Sequence, residues 1–259
     1  MTPRVSMRVG LLGPLEVTVA GQEMAVGGPG RRALLAALAL NVGTPVGVPQ
    51  LVEAIWDDRP PATATTKLQG HVSALRQGLL RLGGADAAHL LQTRPPGYVL
   101  CAHRTSTDLI RFDDLLRQAR CERLPERASR RAETLSAALR LWRGDACTDI
   151  RSGWVASMAA SLDERRMRAM EDLAEARLIL GEHDVVIDAM EPMVRRVPYR
   201  ERAWEHLMAA HLGRGDTASA LAAYDDLCRI LTTDLGVGPG RRISRLVGIA
   251  RGSRAVADR

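Results

Sequence analysis

Between Thr65 and Leu79 the chain reads Thr-Thr-Lys-Leu-Gln-Gly-His-Val-Ser-Ala-Leu-Arg-Gln-Gly-Leu. The polar and small positions Thr66, Lys67, Gln69, Gly70, His71, Ser73 and Arg76 carry hydrogen-bond donors and positive charge but no carboxylate. Groups of this kind bond base edges and phosphate oxygens, the chemistry of a DNA groove. Ser73 and Gln69 suit base edges, Lys67 and Arg76 supply charge, and Gly70 lets a backbone approach closely. The element that must position them lies in the same run. Leu68, Val72, Leu75 and Leu79 recur at four, three and four residues, which makes one apolar stripe on a helix. By itself that pattern fits an ordinary surface helix as well as a recognition helix.

The flanking segments favour recognition. Residues 8–26 hold short β-prone pieces broken at Gly13-Pro14 and Ala20-Gly21-Gln22, which read as an antiparallel sheet of about three strands. Helix signals follow from Arg31 to Leu40 and from Pro49 to Asp57, with Pro49 at a first-turn position. Pro60-Pro61 makes a stiff loop before the Thr65 helix. Gly83-Gly84 ends that helix, and two apolar runs around Arg94-Pro95-Pro96-Gly97 read as a hairpin. Three helices and then a hairpin is the order of a winged helix, whose third helix enters the major groove while the hairpin reaches the neighbouring backbone or minor groove. Arg94, at the hairpin tip, can enter the negative potential of a narrow minor groove. Arg31 and Arg32, at a helix start, can meet phosphate or form a solvated face.

From Asp108 onward helices take over, with breaks at Pro125, Gly144, Gly181, Pro198, Gly215 and Gly236. The segments starting at Gly181 and Gly215 align 34 residues apart, pairing Ile187 with Leu221 and Ala189 with Ala223. That is the tetratricopeptide period; a plain helical bundle is the alternative. The expected fold is therefore mainly α with a small β part. It comprises an N-terminal winged helix over residues 1–104 and an all-α, tetratricopeptide-like domain over residues 105–259.

Catalytic chemistry finds little support. Cys101 and His103 would share a strand face without a third group to orient the base. Gly27-Gly-Pro-Gly30 is followed by Arg-Arg-Ala rather than Gly-Lys-Ser/Thr, so it is not a phosphate loop. His71 lacks a second ligand at metal spacing and reads as a phosphate contact or a packed edge. Asp113-Asp114 and Asp225-Asp226 lie on arginine-rich helices as solvated carboxylates. No catalytic site, metal site or cofactor is expected.

The chain has 259 residues and a formal net charge of +6, with a pI near 9.7, which favours an anionic partner. Up to Arg104 it has ten Lys or Arg against six Asp or Glu, and 26 against 24 after it, so the shorter part is the more basic. Lys67 is the only lysine. Cys101, Cys121, Cys147 and Cys228 lie far apart without a Cys-x-x-Cys, which predicts reduced, mostly buried thiols in a cytoplasmic protein. Neither a signal peptide nor an apolar run long enough to span a bilayer is read in the sequence, so no membrane partner is expected.

Arg8 to Val17, Arg31-Arg-Ala-Leu-Leu-Ala, Trp56 with Pro60-Pro61-Ala-Thr-Ala, His71-Val-Ser-Ala-Leu-Arg, Thr93-Arg-Pro-Pro-Gly-Tyr98 and Leu141-Trp-Arg-Gly144 together closely resemble the Streptomyces antibiotic regulatory protein family. The likeness covers nearly the whole chain. It implies an OmpR-type winged helix joined to a bacterial transcriptional activation domain. It further implies a DNA-binding activator of a secondary-metabolite gene cluster that binds promoter direct repeats near the −35 region as a side-by-side homodimer and recruits RNA polymerase through its σ factor. Carried over by position, Thr66, Lys67, Gly70, His71, Ser73 and Arg76 would contact DNA, with Arg94 on the wing. Ala74 and Gln77 stand where relatives often have arginines, which implies fewer phosphate contacts. Asp145 stands where a proline commonly follows Trp-Arg-Gly. Without a nucleotide-binding or receiver domain, the chain resembles the short members of the family. A helical-repeat adaptor that uses its winged helix for protein contacts is the alternative function.

Overall fold

The computed structural model describes residues 5–101 and 105–257. The expected His103 and the expected boundary residue Arg104 lie outside them. The chain divides into two compact units, one of Met1–Leu115 with Ala138–Arg166, the other of Leu116–Ala137 with Met167–Arg259.

The first unit runs β1 (Met7–Gly10), β2 (Glu16–Val19), β3 (Gln22–Glu23), α1 (Pro29–Leu40), β4 (Val46–Gly47), α2 (Val48–Trp56), α3 (Ala64–Ala88), β5 (Leu91–Arg94), β6 (Gly97–Leu100), β7 (Thr105–Thr107) and the start of α4 (Asp108–Cys121). The N-terminal sheet has the order β3-β2-β1-β7; β1 is antiparallel to β2 and parallel to β7. Three of its strands were expected. The fourth, Thr-Ser-Thr, has no apolar residue to mark it. A second sheet, β4-β6-β5, joins the expected hairpin to a two-residue strand before α2. Gly97 is required there, because a Cβ would run into the Val46 carbonyl oxygen of the paired strand.

Helix α1 is the centre of this unit. Every residue from Ala33 to Ala39 is buried, which only a run of alanines and leucines permits when α2, α3 and β6 all pack around one helix. Helix α3 contributes Leu68, Val72, Leu75 and Leu79, each at most 3% exposed, so the sequence stripe is the packed face. Burying each such side chain stabilises by roughly 1.5–3 kcal/mol. The helix breaks at Gly83 and Gly84, and Gly84 takes φ +65.

The unit continues past the 104/105 division expected from sequence. The Asp108 carboxylate accepts from the backbone N–H groups of Leu11 and Leu12 at 2.8–3.0 Å and from Arg143 at 3.2 Å. Leu15 N–H donates to Asp149 at 2.9 Å, and Arg143 N–H to the Leu12 carbonyl at 2.7 Å. The bonds from Leu12 and Leu15 to Arg143 and Asp149, each across more than a hundred positions, bind residues 138–166 to the loop between β1 and β2.

The second unit contains the end of α4, the turn Pro125–Arg127, α5 (Ala128–Leu139) to Ala137, α6 (Gly153–Ile179) from Met167, α7 (His183–Arg196), α8 (Glu201–Gly213), α9 (Thr217–Leu235) and α10 (Arg241–Ala257). Gly144, Gly181, Pro198, Gly215 and Gly236 fall between helices, and Pro125 opens a single 3-10 turn between α4 and α5. Gly181 and Gly215, one period apart, both turn the chain with positive φ, at 75 and 79. Helix α7 packs on α8, α8 on α9, and α10 on both of the last two, around Met190, Trp204, Leu207, Met208 and Leu227. This is the tetratricopeptide-like arrangement read from the period. Among the four thiols only Cys147 is buried, and Cys121 is exposed, a correction to the expectation of mostly buried cysteines.

An ionic layer crosses this unit. Glu171, 2% exposed, accepts from Arg200 at 2.6 and 3.1 Å, and Arg202 bonds Asp172 at 2.5 Å. His206 lies beside it, buried, with Nε2 unpartnered among the described residues. Burial, reinforced by the Arg202 charge, pushes its pKa down to about 4. The unfolded chain therefore takes up this proton first as pH falls below the ordinary value of about 6.5. Folding stability is intact above that value and declines down to about pH 4, by about 3 kcal/mol in all. The melting temperature should accordingly fall between pH 7 and pH 4.5, and His206→Leu should shrink that fall; an unchanged pH dependence in the variant would exclude His206 as its source.

Candidate nucleic-acid interface

The packing of α3 defines which of its residues face outward. Thr66, Lys67, Gln69, Gly70 and Ser73 are exposed, and no atom lies within 4 Å of the place a Gly70 Cβ would take. His71 and Arg76 are half-buried. Five residues place them about 140° apart around the helix, one on each border of the apolar stripe. Between those borders the outer face carries hydroxyls, amides, one ammonium group and no carboxylate.

On one border Arg76 turns toward the wing. Its Nε donates to the Leu91 carbonyl at 3.0 Å, its NH2 group to Thr93 Oγ1 at 2.8 Å, and its guanidinium lies 6.0 Å from the centroid of the Tyr98 ring. The fork geometry of arginine suits such a double tie. Arg76, expected as a charge facing DNA, thus holds α3 against β5. Arg94 sits at the end of β5, exposed, beside the Pro95-Pro96 turn. The base of that turn is fixed by Val48 N–H, which donates to the Pro96 carbonyl at 3.3 Å.

On the other border the His71 ring stacks on Trp56 with centroids 6.0 Å apart. Burial, then the charges of Arg31 and Lys67, hold its pKa below the ordinary histidine value, so the ring is neutral at pH 7. The packed-edge reading of His71 is the one the geometry supports; a neutral ring still has one N–H to donate. Its neighbour across a cleft between α1, α2 and α3 is Gly30, at the start of α1, where a Cβ would come within 2.8 Å of His71 Nε2.

The expected pair Arg31 and Arg32 separates. Arg31 lies in the cleft with His71. Arg32 points inward, donating to the Leu15 carbonyl at 3.1 Å and pairing with Asp149. That pairing satisfies its charge inside the unit, so a structural tie replaces both the phosphate contact and the solvated face expected for Arg32. Gly27-Gly-Pro-Gly30 caps α1 and the Arg31 guanidinium folds over Gly27, which has φ +84. Asp226 is solvated as expected, beside Arg229 on the same helix, whereas Asp113 is half-buried and pairs with Arg165. Among the described residues no group of three or more His, Cys, Asp or Glu could hold a metal, and no helix is long and apolar enough to cross a membrane.

The loop after α2 was read only as stiff. Asp57, at φ +50, accepts from the Trp154 backbone N–H at 3.1 Å, and Ser152 Oγ donates to the Ala54 carbonyl at 2.8 Å. The backbone N–H groups of Gly153 and Trp154 lower the Asp57 pKa. These contacts seat residues 151–154 at the end of α2. No local pattern announces a contact between positions 57 and 154.

Residues 107–248 match the model of the bacterial transcriptional activator domain, and residues 22–100 that of the transcriptional regulatory protein C-terminal domain. The regulatory protein DnrI of Streptomyces peucetius is 34% identical over 248 residues, covering 93% of this chain and 90% of its own. The transcriptional regulatory protein EmbR of Mycobacterium tuberculosis is 36% identical over 238 residues, covering 92% of this chain; the match spans 61% of EmbR. A solved structure of Mycobacterium tuberculosis EmbR in complex with a low affinity phosphopeptide superposes with a TM-score of 0.83 at 33% identity, over 98% of this chain and 71% of that one. The exposed, carboxylate-free face of α3 and the wing that follows it lie within the matched regulatory domain, and the chain belongs to the Streptomyces antibiotic regulatory protein family of transcriptional activators.

Proposed function

We propose that the chain is a sequence-specific DNA-binding activator for a secondary-metabolite gene cluster, in which residues 1–104 read the promoter and residues 105–259 serve dimerisation and contact with RNA polymerase and its σ factor. The outer face of α3 carries this reading: it combines base-edge chemistry in Thr66, Gln69 and Ser73 with a positive charge in Lys67, on a helix fixed by four buried apolar residues. Arg94 on the wing and Arg31 beside the cleft supply phosphate or minor-groove contacts. Arg32 and Arg76 act by holding the elements in place. Binding to direct repeats as a homodimer in the cytoplasm, and a role in an antibiotic pathway, rest on membership of the family.

Footprinting the purified chain on the DNA around its own gene tests this directly. The expected result is a salt-sensitive protected region made of direct repeats upstream of neighbouring biosynthetic genes; a chain with no sequence-preferring protection would instead favour the adaptor reading. Two substitutions separate the roles assigned on α3. Lys67→Ala should leave the unfolding free energy within about 0.5 kcal/mol while weakening DNA binding. Arg76→Ala should lower stability by about 1–2 kcal/mol through its lost bonds to Leu91 and Thr93, and Arg76→Lys should restore little of it. Urea denaturation and fluorescence anisotropy read both; an Arg76→Ala chain of wild-type stability would refute the strut.

A further inference from the structure

Beside α3 lies a cleft of about 520 Å³ lined by Gly28, Pro29, Gly30, Arg31, Ile55, Trp56, His71 and Arg151. It lies wholly within the first unit. Two of its lining side chains are guanidiniums and none is a carboxylate. Among the described residues neither Arg31 nor Arg151 has an ion-pair or side-chain hydrogen-bond partner, in contrast to Arg32, Arg76 and Arg143 nearby in the fold. Arg31 and Lys67 both act on His71, so the local field is positive. Like charges drawn to one cleft without a counter-charge repel one another, and an anion placed between them removes that cost.

Arg151 reaches this cleft because both of its flanks are fixed. On one side Asp149 pairs with Arg32 and accepts from Leu15 N–H at 2.9 Å. On the other, Ser152 is buried and bonded to the Ala54 carbonyl, and the next two residues meet the Asp57 carboxylate. The exposed arginine between these anchors is held at the end of α2, next to the recognition helix, although it lies within the matched activator domain.

We propose that Arg151 and Arg31 form a clamp for a backbone phosphate of the DNA whose groove α3 enters, so that the footprint extends beyond the winged helix into the activator domain. This rests on the DNA-binding reading above. The phosphate is that of DNA rather than a diffusible one because a wall of the cleft is α3 itself: His71 stands one turn beyond Lys67 on the border of the outer face. A strand passing that border brings its phosphates to the two guanidiniums.

The test uses the full chain and the duplex most enriched by it from a randomised DNA pool, with affinity measured between 50 and 200 mM NaCl. Arg151→Ala should flatten the dependence of log affinity on log salt by about 0.9, the value for one phosphate, and Arg151→Lys should keep most of it. Replacing single phosphates by neutral methylphosphonates should reveal one position where the wild-type chain loses affinity and where both Arg151→Ala and Arg31→Ala are indifferent. Arg151→Ala is expected to keep the wild-type melting temperature, since the side chain has no partner in the fold. An Arg151→Ala chain with the wild-type salt slope and the wild-type methylphosphonate profile overturns the clamp while leaving the DNA-binding reading intact. A pool in which no sequence is enriched overturns that reading, and the clamp with it.

Discussion

A helix that reads a groove must be fixed against rotation about its own axis, because each residue turns the surface by about 100° and one step exchanges a base-facing position for a wall contact. In α3 this rotation is set by Leu68, Val72, Leu75 and Leu79 against the alanine- and leucine-rich centre of the first unit. Four fully buried side chains outweigh any preference the polar face has for one orientation over another. Gly78, also on the packed side, leaves room for Met24 from the N-terminal segment, where a Cβ would come within 3.3 Å of its sulfur. Everything proposed for the outer face follows from this seating.

The borders of the stripe complete it. Arg76 ties one edge of the helix to the wing, and the Trp56–His71 stack closes the other against α2. The position of the Arg94 tip is thereby coupled to that of α3, since β5 carries both the Arg76 acceptors and Arg94 itself. Preorganisation of this sort lowers the ordering cost paid on binding, so fewer contacts are needed for a given affinity.

What the sequence made legible was local. The stripe on α3, the Ala/Leu run of α1, the Arg94 hairpin and the 34-residue spacing of Gly181 and Gly215 all repeat at short or regular intervals, and all are present in the fold. β4 and β7 are two and three residues long and pair across the chain, Val46 with Tyr98 and Met7 with Thr105, so neither leaves a period to detect. Arginine roles were illegible for the same reason. Arg31 and Arg32 are adjacent and chemically identical, yet Asp149, more than a hundred residues later, decides that one is a strut and the other faces a cleft. Arg151 carries no sequence signal at all, because its place depends on Asp57 and Ala54 capturing the residues after it.

The resulting distribution of charge has a consequence for how selectivity arises. Along the middle of the outer face stand Thr66, Gly70, Ser73 and Gln77, all uncharged, with Gln69 beside the Arg76 border, while Ala74 occupies a position at which an arginine would add charge. Cationic groups sit toward the periphery: Lys67 near the His71 border, Arg31 and Arg151 in the cleft beyond it, and Arg94 on the wing past the Arg76 border. In a duplex, phosphates line the rims of a groove and base edges form its floor. A helix with cations at its margins and hydrogen-bonding groups at its centre matches that division; on the proposed reading, loss of a marginal charge would weaken binding to every sequence, while loss of a central amide or hydroxyl would change which sequence is preferred.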